Sequence, residues 1–176
     1  LLIKKNLNKI GILGGSFDPP HIGHLHISKI ALKKLKLNEV IWVVTKQNPF
    51  KKKVHLNKNL RIKLSKNILK NEKKIVVKSF NDKVNSKNTF DLLKNLKEKN
   101  KNSKLYFLMG ADNMINLHKW KKWKKIPTIA KIIVFARTNY STLALKSVAS
   151  RKLGKEDWLY IPGNKVNISS TIIRNF

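Results

Sequence analysis

The sequence contains no cysteine, which excludes disulfides and thiolate metal ligands and makes a reducing cytoplasm the natural compartment. No uninterrupted apolar run approaches the ~20 residues of a membrane span. The opening LLIKKNLNKI is too short and too charged for a secretory signal, so no membrane partner is expected. Acidic residues are scarce, with nine Asp and Glu against 39 Lys and Arg and a formal net charge of +30. Arginine is scarce as well, because only Arg61, Arg137, Arg151 and Arg174 interrupt a basic complement that is otherwise lysine. A field of this size attracts polyanions. With abundant Asn and Ile, however, the lysine excess has the look of a composition bias, and most of these lysines are expected to form a solvated surface. A minority would serve an anionic ligand.

What is present is the pattern of one ordinary domain. At 176 residues and 41% hydrophobic the chain can bury a single core, and one domain spanning residues 1–176 is expected. Short apolar runs predict strands at KIGIL (9–13), VIWVVT (40–45), KIVVKSF (74–80), KLYFLM (104–109), KIIVFA (131–136) and WLYI (158–161). Between them, apolar spacings of three and four predict helices over 24–35, 56–69, 89–99 and 141–153. Strands apolar on both faces and alternating with helices describe an α/β domain with a doubly wound, mostly parallel sheet. In such folds ligands bind beyond the carboxyl ends of the strands, so the segments that follow each strand carry the function.

The segment after the first strand is GGSFDPPHIGH, residues 14–24, and it gathers rare residue types. Gly14 and Gly15 permit a close backbone approach that a Cβ would block. Two prolines stiffen the turn before a helix that starts near His21 to His24. Three residues apart, those two of the five histidines share one face of the first turn, beside backbone N–H groups expected to be available to an anion. Zinc is the weaker reading, since a His pair needs a third ligand and the neighbouring sequence offers none.

GGSFDPPHIGH resembles the signature of the nucleotidylyltransferase superfamily, whose core is (T/H)xGH, and its full length is similar to the form found in bacterial nicotinate-nucleotide adenylyltransferases. At the far end ISSTIIR, residues 168–174, resembles the superfamily's phosphate-binding ISSTxIR. A Ser/Thr-capped helix start with a following guanidinium suits a triphosphate. After the fourth strand, GADNMINLHKW (110–120) is similar to the family's GxD…W segment. SKNTFDLL (86–93) partially matches TxYTxDTL, and TKQNPFKKK (45–53) matches the loop where Lys51 replaces the usual histidine.

The resemblance implies a Rossmann-like fold and adenylyl transfer from ATP to nicotinate mononucleotide, with Mg²⁺ bound through the ATP phosphates. It implies catalytic roles for His21, His24 and Arg174. For ATP it implies Gly14, Gly15, Ser16, Phe17, His21, His24, Lys51, Gly110, Asp112, Ile168, Ser170, Thr171 and Arg174, with Asp112 on the ribose. For the mononucleotide it implies Thr89, Trp120, Lys121 and Arg137, with the indole stacked on the pyridine ring. Asp18 is expected to hold the loop by accepting backbone N–H bonds. Two other functions compete: phosphopantetheine adenylyl transfer, and nucleic-acid binding, which explains the charge but leaves the Gly, His and Ser/Thr clusters idle. No nucleic-acid partner is therefore expected.

Overall fold

The computed structural model describes residues 7–45, 54–79 and 88–163. Six strands run β1 Asn8–Gly15, β2 Glu39–Val44, β3 Ile75–Ser79, β4 Ser103–Gly110, β5 Ala130–Phe135 and β6 Trp158–Ile161. Successive side chains of a strand face opposite sides of a sheet, and here both sides are apolar. In β1, Ile10 and Ile12 join one buried cluster and Leu13 the other; in β2, Ile41 and Val43 are divided in the same way from Val40, Trp42 and Val44. Such strands must be covered on both faces, which is the condition for a parallel sheet.

The covering helices are α1 Ile22–Lys34, α2 Lys58–Ile68, α3 Thr89–Lys99, α4 Ala111–Asn116, α5 Ser141–Leu145 and α6 Val148–Lys152. Residues of α1 and α2 pack into the cluster around Trp42, and residues of α3 to α6 into the cluster around Phe107. All neighbouring strands are parallel, in the order β3-β2-β1-β4-β5-β6. This is the doubly wound Rossmann-like arrangement that the sequence predicts. Its strand order reverses between β1 and β4, and the crevice there is where such sheets take ligands. Gly11 in β1 lets the covering layer close down, since a Cβ there would come within 2.8 Å of Leu37 Cδ1 and 3.0 Å of Val40 Cγ2.

Two local expectations are corrected. The helix predicted over 141–153 is two helices, because Ser147 starts a new one: its side chain accepts the Ser150 N–H at 3.2 Å. After β4 the chain forms α4 and then two 3-10 turns, Leu117–Lys119 and Trp123–Thr128, where the sequence reading placed no helix. Among the described residues no helix is long and apolar enough to cross a membrane.

Candidate active site

Gly14 and Gly15 close β1 and Gly110 closes β4, so both glycine segments lie at the carboxyl side of the strand-order reversal. Arg137 follows β5 at the same end of the sheet, and Thr45 follows β2.

His21 and His24 build the start of α1 between them. His21 is the N-cap; its Nδ1 accepts the Gly23 N–H at 3.1 Å, while the His21 N–H is donated to His24 Nδ1 at 3.2 Å. This is a reciprocal cap with imidazoles in the places usually taken by hydroxyl and carboxylate groups. The His24 N–H goes to the His21 carbonyl at 3.0 Å. The amides of Gly23 and His24 are thus consumed within the helix, contrary to the expectation that they would serve an anion. A ring nitrogen that accepts a hydrogen bond carries a lone pair, so each neutral ring has its proton at Nε2. The two rings lie 3.8 Å apart between centroids. The His24 ring also packs at 4.6 Å on Phe17 and meets Trp42 edge-on at 5.8 Å.

The loop between β1 and α1 is held from below. Phe17 has φ of 49°, and its ring is buried against Trp42 at 5.0 Å. The Asp18 carboxylate accepts the N–H groups of His55 at 2.8 Å and Leu56 at 2.9 Å, which is the expected loop-holding role. Arg61 of α2, only 2% exposed, donates to three carbonyls: Leu56 at 3.0 Å, Thr45 at 2.8 Å, and Ser16. Burial lowers the pKa of this guanidinium, and the charge of Asp18 acts in the opposite direction.

On the other side of the crevice, Asp112 Oδ2 accepts from Arg137 Nη1 at 2.6 Å. Asp112 Oδ1 is buried and meets no hydrogen-bond donor among the described residues. Gly110 lets that carboxylate fold back over the chain, for a Cβ at Gly110 would stand 2.5 Å from Asp112 Oδ1. Thr89 is the first residue of α3, whose N-cap Asn88 holds Asp91 through a 2.6 Å side-chain bond; that bond lowers the Asp91 pKa, with smaller support from Lys122. Lys122 reaches Asp91 at 3.2 Å and lies over the Phe90 ring at 5.2 Å, which ties the start of α3 to the Trp120–Lys121–Lys122 turn. Trp120 itself is half-buried and meets Phe107 edge-on at 6.2 Å, while Lys121 is exposed.

The structure therefore brings the expected residues into two groups, Gly14 to His24 at β1 and Gly110, Asp112 and Arg137 at β4 and β5, with Thr89, Trp120 and Lys121 joined through the Asp91–Lys122 pair. Lys51, Ile168, Ser170, Thr171 and Arg174 lie outside the described residues. Sequence reading gives Arg61 no role, although its signal is there: in a chain that uses lysine almost everywhere, an arginine marks a place where a point charge does not suffice.

The cytidylyltransferase-like family model matches residues 12–176. A probable nicotinate-nucleotide adenylyltransferase of Pelagibacter ubique is 47% identical over 175 residues, covering 97% of each chain. A probable nicotinate-nucleotide adenylyltransferase of Clostridium novyi is 39% identical, covering 96% of this chain and 86% of its own. Among solved structures, the Plasmodium falciparum nicotinic acid mononucleotide adenylyltransferase complexed with APC superposes with a TM-score of 0.75 at 23% identity, covering 96% of this chain and 83% of that one.

Proposed function

The chain belongs to the nicotinate-nucleotide adenylyltransferases of the cytidylyltransferase-like family, and from that premise we propose that it transfers the adenylyl group of ATP to nicotinate mononucleotide, giving deamido-NAD and pyrophosphate. The observation that carries the reading is the His21–His24 pair, two Nε2–H donors side by side where the sheet reverses its strand order.

The chemistry asks little of side-chain bases. A phosphate oxygen of the mononucleotide, already ionised at neutral pH, attacks the α-phosphorus of ATP in line. The bond from that phosphorus to the β-bridging oxygen breaks, and pyrophosphate carries away the electron pair. The protein's task is to position the reactants and to neutralise charge on the α-phosphate. His24 Nε2 donates to an α-phosphate oxygen, with His21 beside it on the neighbouring oxygens. Arg174, Thr171 and Lys51 hold the leaving phosphates, and Ile168 and Ser170 belong to the same ATP-binding segment as Thr171 and Arg174. Gly14, Gly15, Ser16 and Phe17 contribute main chain along the nucleotide.

Asp112 accepts a ribose hydroxyl at its buried Oδ1, an atom that no donor among the described residues reaches. Arg137, oriented by Asp112 Oδ2, holds the mononucleotide phosphate. Thr89, Trp120 and Lys121 receive the pyridine ring and its carboxylate. Mg²⁺ accompanies ATP, held by phosphate oxygens and water. The absence of cysteine suits a cytoplasmic enzyme.

Assaying ATP with nicotinate mononucleotide, nicotinamide mononucleotide and phosphopantetheine tests the substrate. Turnover is expected to be highest with the first, and preference for phosphopantetheine would overturn the reading. Trp120→Ala is expected to raise KM for the pyridine mononucleotide and leave KM for ATP nearly unchanged. The loss of packing on Phe107 should also lower the melting temperature, and a rise in both KM values alike would give the indole a structural role only.

A further inference from the structure

Arg61 and Asp18 are both 2% exposed, and neither is accounted for by contact with a substrate. What they touch is main chain on both sides of the site. Asp18 takes the N–H groups of residues 55 and 56, while Arg61 takes the carbonyls of residues 16, 45 and 56. Two buried side chains of opposite charge therefore lace the loop after β1 to the segment that joins β2 to α2. A lysine could not replace the arginine, because one ammonium cannot present donors along two edges of a plane as a guanidinium does.

The consequence follows from peptide geometry. The C=O and N–H of a trans peptide point in opposite directions. The Gly15 carbonyl is held by the Thr45 N–H at 2.9 Å and the Thr45 hydroxyl at 3.1 Å, so the Ser16 N–H of the same peptide is turned away from β2. The Ser16 carbonyl is held by Arg61, so the Phe17 N–H is turned away from Arg61. In a regular strand successive carbonyls alternate sides. Here both are drawn toward Thr45 and Arg61, which are themselves hydrogen-bonded, so the strand alternation ends at Ser16, the residue between these two peptides, just past the end of β1. Two consecutive N–H groups directed to one side make a small anion-binding concavity.

We propose that Arg61, braced by Asp18, is a positioning residue for the reaction: by holding the Ser16 carbonyl it fixes the Ser16 and Phe17 amides toward the ATP phosphates. The proposal rests on the adenylyltransferase reading for the identity of the anion, but the amide geometry itself is independent of the second substrate. Arg61 touches no substrate in this account. Its effect is exerted through the peptide planes of residues 15–17, and it should be selective for the phosphate-bearing ligand that those planes face.

The test compares Arg61→Met and Arg61→Lys with the unaltered protein, measuring KM for ATP and nicotinate mononucleotide, kcat, the inhibition constant of inorganic tripolyphosphate, and melting temperature. For Arg61→Met, a misdirected amide pair is expected to raise KM for ATP and the tripolyphosphate constant about tenfold and to lower kcat by roughly 100-fold, with KM for the mononucleotide within about twofold. Arg61→Lys, which keeps the charge and loses the fork, is expected to show the same ATP-selective pattern to a smaller degree, and it carries the test should the Met variant not fold. A purely structural role would reduce the number of active molecules, lowering kcat and melting temperature while leaving both KM values and the tripolyphosphate constant unchanged, and that result overturns the proposal. So does an equal rise in KM for both substrates. If the unaltered protein binds ATP but does not adenylylate nicotinate mononucleotide, the substrate reading fails by itself, and the dissociation constants for ATP and tripolyphosphate still decide the role of Arg61.

Discussion

His24→Ala is expected to lower kcat by at least ~100-fold at saturating ATP and nicotinate mononucleotide, the usual cost of removing a preorganised donor to a transition-state oxygen. The size of the effect follows from how little freedom this ring has. Its Nδ1 is fixed by the His21 N–H, one face lies on Phe17, its edge meets Trp42, and the His21 ring lies alongside. The ring is therefore held in one orientation by the protein itself, and preorganisation of that kind gives a donor its catalytic worth. The substitution also removes half of the α1 cap, which should cost about 0.5–2 kcal/mol of stability. Steady-state kinetics below the lowered melting temperature separate the two effects. Near-normal turnover in a folded His24→Ala protein would remove His24 from the mechanism.

The six strands are legible in the sequence to within two residues at either end, and the reason is physical. A parallel sheet covered on both faces needs unbroken apolar runs, and VIWVVT or KIIVFA cannot serve as surface helices in a chain this rich in lysine. The glycine and histidine motif is legible for a related reason, because its residues are rare here. Less was visible where one residue decides between two local structures. Ser147 divides an apolar 3.6-residue pattern into α5 and α6 by capping Ser150, and periodicity averages over such a choice. The fate of the amides at the start of α1 is not legible because a histidine at the N-cap is an uncommon acceptor, and the sequence pattern does not state that Nδ1 takes the Gly23 N–H. Arg61 is not legible because α2 is half-buried and lysine-rich, and nothing in the order KNLRIKLSKNI says that this one cation points inward to carbonyls sixteen and forty-five residues away.

Trp42→Ala is expected to destabilise the fold by about 3–5 kcal/mol, the range for deleting a large buried aromatic side chain. That is a serious fraction of a typical total of about 5–15 kcal/mol. Trp42 is fully buried in β2, and its loss reaches the site by two routes. One is packing: Phe17 stacks on the indole at 5.0 Å and 21° between planes, and the edge of His24 rests at 5.8 Å. The other is a hydrogen-bonded chain, in which Trp42 Nε1 donates to Ser28 Oγ at 2.8 Å and Ser28 Oγ donates to the His24 carbonyl at 2.8 Å. Trp42→Phe preserves the platform and leaves only Ser28 without its donor, so its cost should be smaller, about 1–3 kcal/mol. Urea unfolding followed by far-UV circular dichroism gives both energies, and kcat measured well below each midpoint gives the functional cost. If the indole does orient His24, Trp42→Ala should lose kcat even when fully folded and Trp42→Phe should retain most of it. Equal activity in the two folded variants would confine Trp42 to the core and leave the orientation of His24 to its cap with His21 alone.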